Sequence, residues 1–309
     1  MAFSYHPETL LERDSSRSIA EARFPGGFSV PEEALTIETA GTVFSPRIIS
    51  LTKTYGKDLQ LSQTTLLSQA LRATLIPLAE ERSQRARELA SGHAKGGEPL
   101  RETHVAYAPL CEPRGRAGSL AVTGAAVVLP RGLAPAEEEE LRQILDSAAQ
   151  GERGIVLTLG RLGLFGLKPL PAGEIFLSSG GGSDRIDGIS EFDEPEDFTG
   201  PSQVWDSITP VVMDRRQRNR QVDADEWARK QVSLLCTKIG LPEPEQVLVD
   251  SVPFHPGSLA VKRFPPIRLK DGSSRRMVHV RCVFRRMVQG PLLLGSGRFR
   301  GYGLCKPRK

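Results

Sequence analysis

Residues 289–309 read QGPLLLGSGRFRGYGLCKPRK. The three leucines 292–294 form an apolar run long enough for a buried strand. Four glycines follow, Gly295, Gly297, Gly301 and Gly303, with Arg298 and Arg300 between them and Phe299 and Tyr302 interleaved. Glycine at this density admits positive φ and lets backbone approach a ligand closely. Successive amides of such a loop can form an anion-binding nest, and guanidinium forks beside a nest match phosphate oxygens. The stretch therefore reads as a closing strand joined to a loop suited to a polyanion. The plainer alternative is a terminal hairpin whose turns need glycine.

The charge around this stretch agrees with a polyanion. Residues 201–309 hold 21 Lys and Arg against 9 Asp and Glu, most of the cations being Arg, while the rest of the chain holds 20 against 28. A basic half beside an acidic one suits a nucleic-acid partner. Arg215, Arg216, Arg218 and Arg220 form one basic loop, able to hold an RNA stem across its phosphates. Lys262, Arg263, Arg268 and Lys270 form a second patch in a hairpin-like insert.

The elements preceding the loop repeat a pattern. In the second half, 204–213 reads as a strand and 226–239 as a helix with Asp223 and Asp225 before it and Gly240 after it. Residues 245–254 and 275–286 read as further strands. In the first half, 44–51 is a strand and 64–90 a helix, kinked or divided at Pro77. Strands at 104–110 and 119–129 follow, then a helix from Pro135 and a strand over 154–164. The order is βαββαβ. The expected fold class is α+β: two tandem ferredoxin-like (RRM-like) domains with a C-terminal glycine-rich loop, the last helix of the second shortened or replaced. The expected layout is an N-terminal arm over 1–40, a first domain over 41–172, an acidic Gly-rich linker over 173–200 and a basic RNA-binding domain over 201–309.

Several classes are disfavoured. No run approaches ~18 consecutive apolar residues, so no spanning helix and no membrane partner is expected. The N-terminus carries no secretory pattern. Cys111, Cys236, Cys282 and Cys305 form no CxxC, which argues against a zinc site and for a reduced, cytoplasmic setting. There is no GxxxxGK[ST] for a nucleotide-driven motor and no carboxylate set for a two-metal nuclease. No metal or other cofactor is expected.

GSGRFRGYGLCKP (295–307) resembles the glycine-rich signature of the RAMP superfamily, the RNA-binding proteins of CRISPR systems. FSPRIISL (44–51), SGH (91–93) with HVAYAPL (104–110), VVLPRGL (127–133) and WDSITPVVMDRR (205–216) bring the resemblance nearest to the repeat-RNA-processing subunit of type I-U (I-G) systems. That family joins the endoribonuclease to a preceding RAMP module that holds the guide-RNA end. Residues 1–40 stand in its place here, so end-holding lies outside the expectation. The resemblance implies metal-independent cleavage of CRISPR repeat RNA (pre-crRNA), in which the ribose 2′-OH attacks the adjacent phosphorus and leaves a cyclic phosphate. It also implies retention in a type I effector complex with the guide RNA and other subunits. The alternatives are a non-catalytic RNA-holding subunit of that complex and a general RNA chaperone.

Such a reaction needs a proton acceptor and cations for the phosphorane. The family places its catalytic histidine on or just after the first helix, where His93 lies in SGHAKGG with Lys95 two residues on. His93 is the first candidate base or acid, and His104 is the second, matching the family's paired histidine. Lys95, Arg47 and Arg101 are candidates for phosphate stabilisation. Tyr107 is odd-spaced from His104 and so is expected in the core. His279 alternates with Val278 and Val280 and is expected on the outward, solvent- or RNA-facing side of its strand. His255, in VPFHPG, is expected to be a turn residue.

Overall fold

The computed structural model describes residues 39–114, 118–171, 196–217 and 221–308. The expected arm over 1–40 and the acidic stretch over 173–200 fall almost wholly outside these residues.

The first half begins with β1 (Ala40–Gly41), β2 (Phe44–Tyr55) and β3 (Leu59–Gln60). α1 (Thr64–Arg82) buries Leu67, Leu71, Leu75 and Ala79, one residue per helical turn. It passes through Pro77, which lies on the exposed side, where the carbonyl that proline leaves without a partner can meet water. The break comes instead at Ser83, whose backbone is extended and whose Oγ accepts from the Ala86 amide at 3.0 Å, capping α2 (Gln84–Ser91). β4 (Ala106–Arg114), β5 (Ser119–Pro130) and α3 (Pro135–Ala148) follow. The single strand expected over 154–164 is a hairpin of β6 (Ile155–Thr158) and β7 (Leu164–Pro169), because the chain turns at Gly160 and Gly163, both at positive φ. The sheet order is β7–β2–β5–β4, with all neighbours antiparallel, and α1 packs against α3. This is the ferredoxin-like arrangement.

The second half repeats it. After α4 (Glu196–Thr199) come β8 (Pro201–Ser207), β9 (Val211–Val212) and α5 (Ala224–Lys238). The Asp223 carboxylate accepts from the amides of Asp225 (3.0 Å) and Glu226 (2.8 Å), which starts α5. β10 (Gln246–Asp250), β11 (Met277–Gln289), β12 (Leu292–Leu293) and β13 (Leu304–Pro307) complete the sheet in the order β13–β8–β11–β10. A second helix would follow β11. β12 and the glycine-rich loop occupy that part of the chain instead.

The two halves share an apolar cluster. Phe44, Tyr107, Leu110 and Val127 of the first pack with Ile208, Val212, Phe264, Leu293, Tyr302 and Leu304 of the second. A separate core beneath α5 holds Trp205, Val232, Leu235, Cys282 and Phe284. β1 pairs in parallel with the end of β11, and Thr42 Oγ1 donates to the Pro291 carbonyl at 3.1 Å. The chain thus joins the second sheet before it builds the first. Among the described residues no helix is long and apolar enough to cross a membrane.

Candidate functional site

The end of α2 builds the first wall of the site. Gly92 caps the helix at φ 69°, its amide donating to Glu88 O at 2.8 Å. The loop then closes on itself through Leu100 N to Gly92 O and Ala94 N to Glu98 O, both 2.9 Å. This closure holds His93, half-buried, with its amide on Ser91 Oγ at 3.1 Å. Its Nδ1 lies 2.9 Å from the Ser91 carbonyl. A carbonyl only accepts, so Nδ1 carries the proton and Nε2 keeps its lone pair. Arg72, on α1, donates to the same carbonyl, and its guanidinium lies 3.4 Å from His93 Nδ1.

The second wall comes from the far end of the chain. The His104 ring lies on Gly92, where a Cβ would collide with it, and stacks on Phe299 of the glycine-rich loop. The ring centroids are 3.7 Å apart and the planes 21° from parallel. His104 Nδ1 is buried and makes no hydrogen bond. Burial pushes the imidazole down to about 4, helped by the positive charges of Arg298 and Arg72 and by His93. Arg298 lies 4.6 Å from the Phe299 centroid and donates from Nη1 to Gly295 O at 3.2 Å, while its Nε is buried without a partner. Burial lowers this guanidinium from its ordinary value, with Asp214 opposing.

A stability prediction follows from the His104 shift. Unfolded His104 takes up a proton below about 6.5 and the folded residue only near 4, so stability falls as pH drops through that window. Phe299→Ala, by exposing the ring, is expected to return its pKa toward the ordinary value. The loss of unfolding free energy between pH 7 and pH 4.5 is then expected to shrink by about 2 kcal/mol. Urea melts at the two pH values, with an NMR titration of His104, check this. An unchanged titration of His104 in the variant contradicts it.

The glycine-rich loop is tied to the protein through its backbone. The amides of Ser296, Arg298, Arg300, Tyr302 and Gly303 donate to protein carbonyls. Gly295, Gly297, Gly301 and Gly303 are buried, and their bare Cα atoms face protein. A Cβ on Gly297 would come within 2.6 Å of Tyr302 Cβ, and one on Gly301 within 2.6 Å of Thr64 Oγ1 on α1. Close packing of the loop accounts for these glycines. The loop offers its side chains, with Arg300 exposed and bridged to Tyr107 on β4.

The other candidates are spread around the molecule. Lys95 is exposed beside His93. Arg47 is paired with Glu138 at 3.0 Å, and Arg101 is exposed. Arg215 and Arg216 are exposed, Arg216 in an ion pair with Asp271 at 2.9 Å, and Arg218 and Arg220 lie outside the described residues. Lys262 and Arg263 are exposed on a 3-10 turn. Tyr107 is core, its hydroxyl donating to Ala90 O at 3.0 Å. His255 sits in its turn, with Nδ1 2.6 Å from Pro256 O. His279 is not outward: it is fully buried, with Nε2 2.9 Å from Leu259 O and Phe264 edge-on to it, because the 251–276 insert folds over that face. Sequence reading did not single out Arg72 or assign a role to Phe299. Neither has a local signature, since each acts through a distant partner.

No protein-family model matches the chain, and no curated protein matches it in sequence. Solved structures similar to the chain include two RNA-related proteins. One is described as CRISPR associated protein Cas6, with 10% identity and a TM-score of 0.41 over 85% of this chain and 98% of that one. The other is described as an RAMP protein binding different RNA substrates, with 11% identity and the same TM-score and coverage.

Proposed function

We propose that this chain is a CRISPR repeat-RNA endoribonuclease of the RAMP superfamily, nearest to the type I-U (I-G) processing subunit. It cuts without a metal ion and stays in a type I effector complex, in the cytoplasm, with guide RNA and other subunits. One observation carries the reading. The loop bearing His93 and the glycine-rich loop, some two hundred residues apart in sequence, meet through the stacked rings of His104 and Phe299. Their junction gathers one imidazole with a free Nε2 and the guanidinium groups of Arg72 and Arg298.

In this reading His93 Nε2 takes the proton of the ribose 2′-OH. The O2′–P bond forms as the P–O5′ bond breaks, and the 5′ oxygen takes a proton from water or Lys95. The products are a 2′,3′-cyclic phosphate and a 5′-OH. Arg72, Arg298 and Arg300 supply positive charge as it builds on the phosphorane. His104, neutral near pH 7 because burial opposes its proton, positions the junction rather than donating. Arg215, Arg216, Arg218, Arg220, Lys262 and Arg263 hold the repeat stem by its phosphates. Burial of His104 also favours a second reading, a holding subunit without catalysis, since it leaves His93 as the one histidine at the junction placed to take the 2′-OH proton.

Cleavage of repeat RNA by the purified chain is expected to persist in EDTA. Activity that vanishes in chelator and returns with magnesium overturns the mechanism.

A further inference from the structure

The insert between β10 and β11, residues 251–276, carries Lys262 and Arg263 exposed on the 3-10 turn Val261–Arg263. The turn belongs to neither sheet. The amides of Val261, Arg263 and Phe264 donate within the insert, to Ser251 O, Ala260 O and Val261 O at 2.9, 2.9 and 3.0 Å. Two buried side chains tie the turn to the rest of the molecule, one on each side of it. Before the turn, His279 Nε2 on β11 lies 2.9 Å from the Leu259 carbonyl. A carbonyl only accepts, so Nε2 carries the proton and Nδ1 accepts from the Ser207 hydroxyl at 3.1 Å. After the turn, the Tyr302 hydroxyl donates to the Pro265 carbonyl. Between these anchors the buried Phe264 ring packs against both His279 and Tyr302, with centroids 6.2 Å away in each case. The start of the insert is fixed by other bonds, Leu120 N to Gly257 O at 2.8 Å and Ser258 Oγ to Ile208 O. Losing one clamp therefore loosens the turn rather than the whole insert.

We propose that His279 and Tyr302 are positioning residues for RNA: they clamp the turn so that Lys262 and Arg263 stand at fixed places relative to the glycine-rich loop and take phosphates of the same RNA. The premise is the proposed function, in which these two cations bind phosphate. Tyr302 supplies the link to the junction. Its amide donates to Gly297 O at 3.3 Å, and a Cβ on Gly297 would lie 2.6 Å from its own, so its ring moves with the segment that carries Arg298 and Arg300. Ordering a loose segment at an interface costs affinity, and a turn fixed in advance avoids that cost. Both rings are buried, so neither touches the RNA itself and their effect passes through the turn.

The test uses the full chain with Tyr302→Phe, His279→Ala or His279→Gln, each alone and in the background Lys262→Ala/Arg263→Ala. Binding of repeat RNA is titrated across salt, and single-turnover cleavage is followed at saturating enzyme. The background pair is expected to lower the log–log salt slope by about 1.5, roughly 0.7–0.9 for each phosphate no longer neutralised. Tyr302→Phe and His279→Ala are each expected to weaken binding about fivefold, in line with the cost of ordering a loose side chain. Each is expected to lower the salt slope as well, to act on affinity rather than on the saturating rate, and to add no loss in the background lacking the two cations. His279→Gln is expected to recover most of the affinity, because its side-chain amide can donate to Leu259 O. Tyr302→Phe keeps the ring in the core, so its result stands even where His279→Ala does not fold. Equal weakening with and without Lys262 and Arg263, or weakening with an unchanged salt slope, marks a merely structural role and overturns the proposal. So does a background pair that binds RNA as the wild type does, which leaves the rest of the proposed function standing. Wild-type chain that binds no repeat RNA overturns the proposed function itself.

Discussion

His93→Ala is expected to slow single-turnover cleavage of repeat RNA by about a hundredfold or more while leaving RNA affinity nearly unchanged. Removing a positioned general base has about that effect. The position of the ring supports the role. Nδ1 is held by the Ser91 carbonyl, which fixes the tautomer and directs Nε2 away from its own loop. Binding should be spared because one neutral imidazole adds little beside the surrounding arginines. His104→Ala is expected to cost less, since its buried ring stacks on Phe299 and would have to gain a proton that burial resists. Saturating enzyme with equilibrium binding beside each rate separates the two effects. Equal rates for wild type and both variants place the chemistry elsewhere or leave the chain a holding subunit.

Gly303→Val is expected to lower the unfolding free energy by about 3 kcal/mol or more. Gly303 sits at φ 69°, where an L side chain costs about 1–2 kcal/mol. A Cβ there would also run into the Leu294 carbonyl, a collision of the overpacking kind worth a further 1–3 kcal/mol. The backbone has little freedom to move aside, because Leu294 N donates to Gly303 O at 2.9 Å and Gly303 N to Pro210 O at 3.0 Å. Gly97→Ala is the control. Its φ of 84° carries the conformational cost, but no atom lies within 4 Å of the added methyl. Denaturant midpoints that match for the two variants contradict this account of the loop. The same physics revises the expectation for Gly297: Gly297→Val acts through Tyr302 and Val212, and weaker RNA binding would follow from a displaced loop.

The strand–helix order of both halves was legible because local signals suffice for it. Alternation marks the strands, and the i, i+4 leucines of α1 mark its buried stripe. Composition alone does not draw the stripe: Leu66 and Leu234, each one residue off the covered face, are 45% and 55% exposed. His279 shows the opposite failure. Its alternation is regular, but which sheet face is open depends on the insert that folds over it. The glycine-rich loop was found for its composition, but the partners that hold it, as remote in sequence as Val212 and Pro210, left no local signal. His93 and His104 could be picked out from their loop. The meeting of His104 with Phe299 depends on how the two halves dock, and the contact of Arg72 with Ser91 and His93 on how α1 packs against α2, and no local pattern encodes either.

The most direct test of the central claim is the chemistry of the cut ends. Purified chain, in excess over 5′-labelled repeat RNA, is incubated in EDTA and the products are resolved with and without phosphatase and acid treatment. The account expects a single cut leaving a 2′,3′-cyclic phosphate on the upstream fragment and a 5′-OH on the downstream one. A 3′-OH with a 5′-phosphate, or RNA that stays intact while tightly bound, contradicts it.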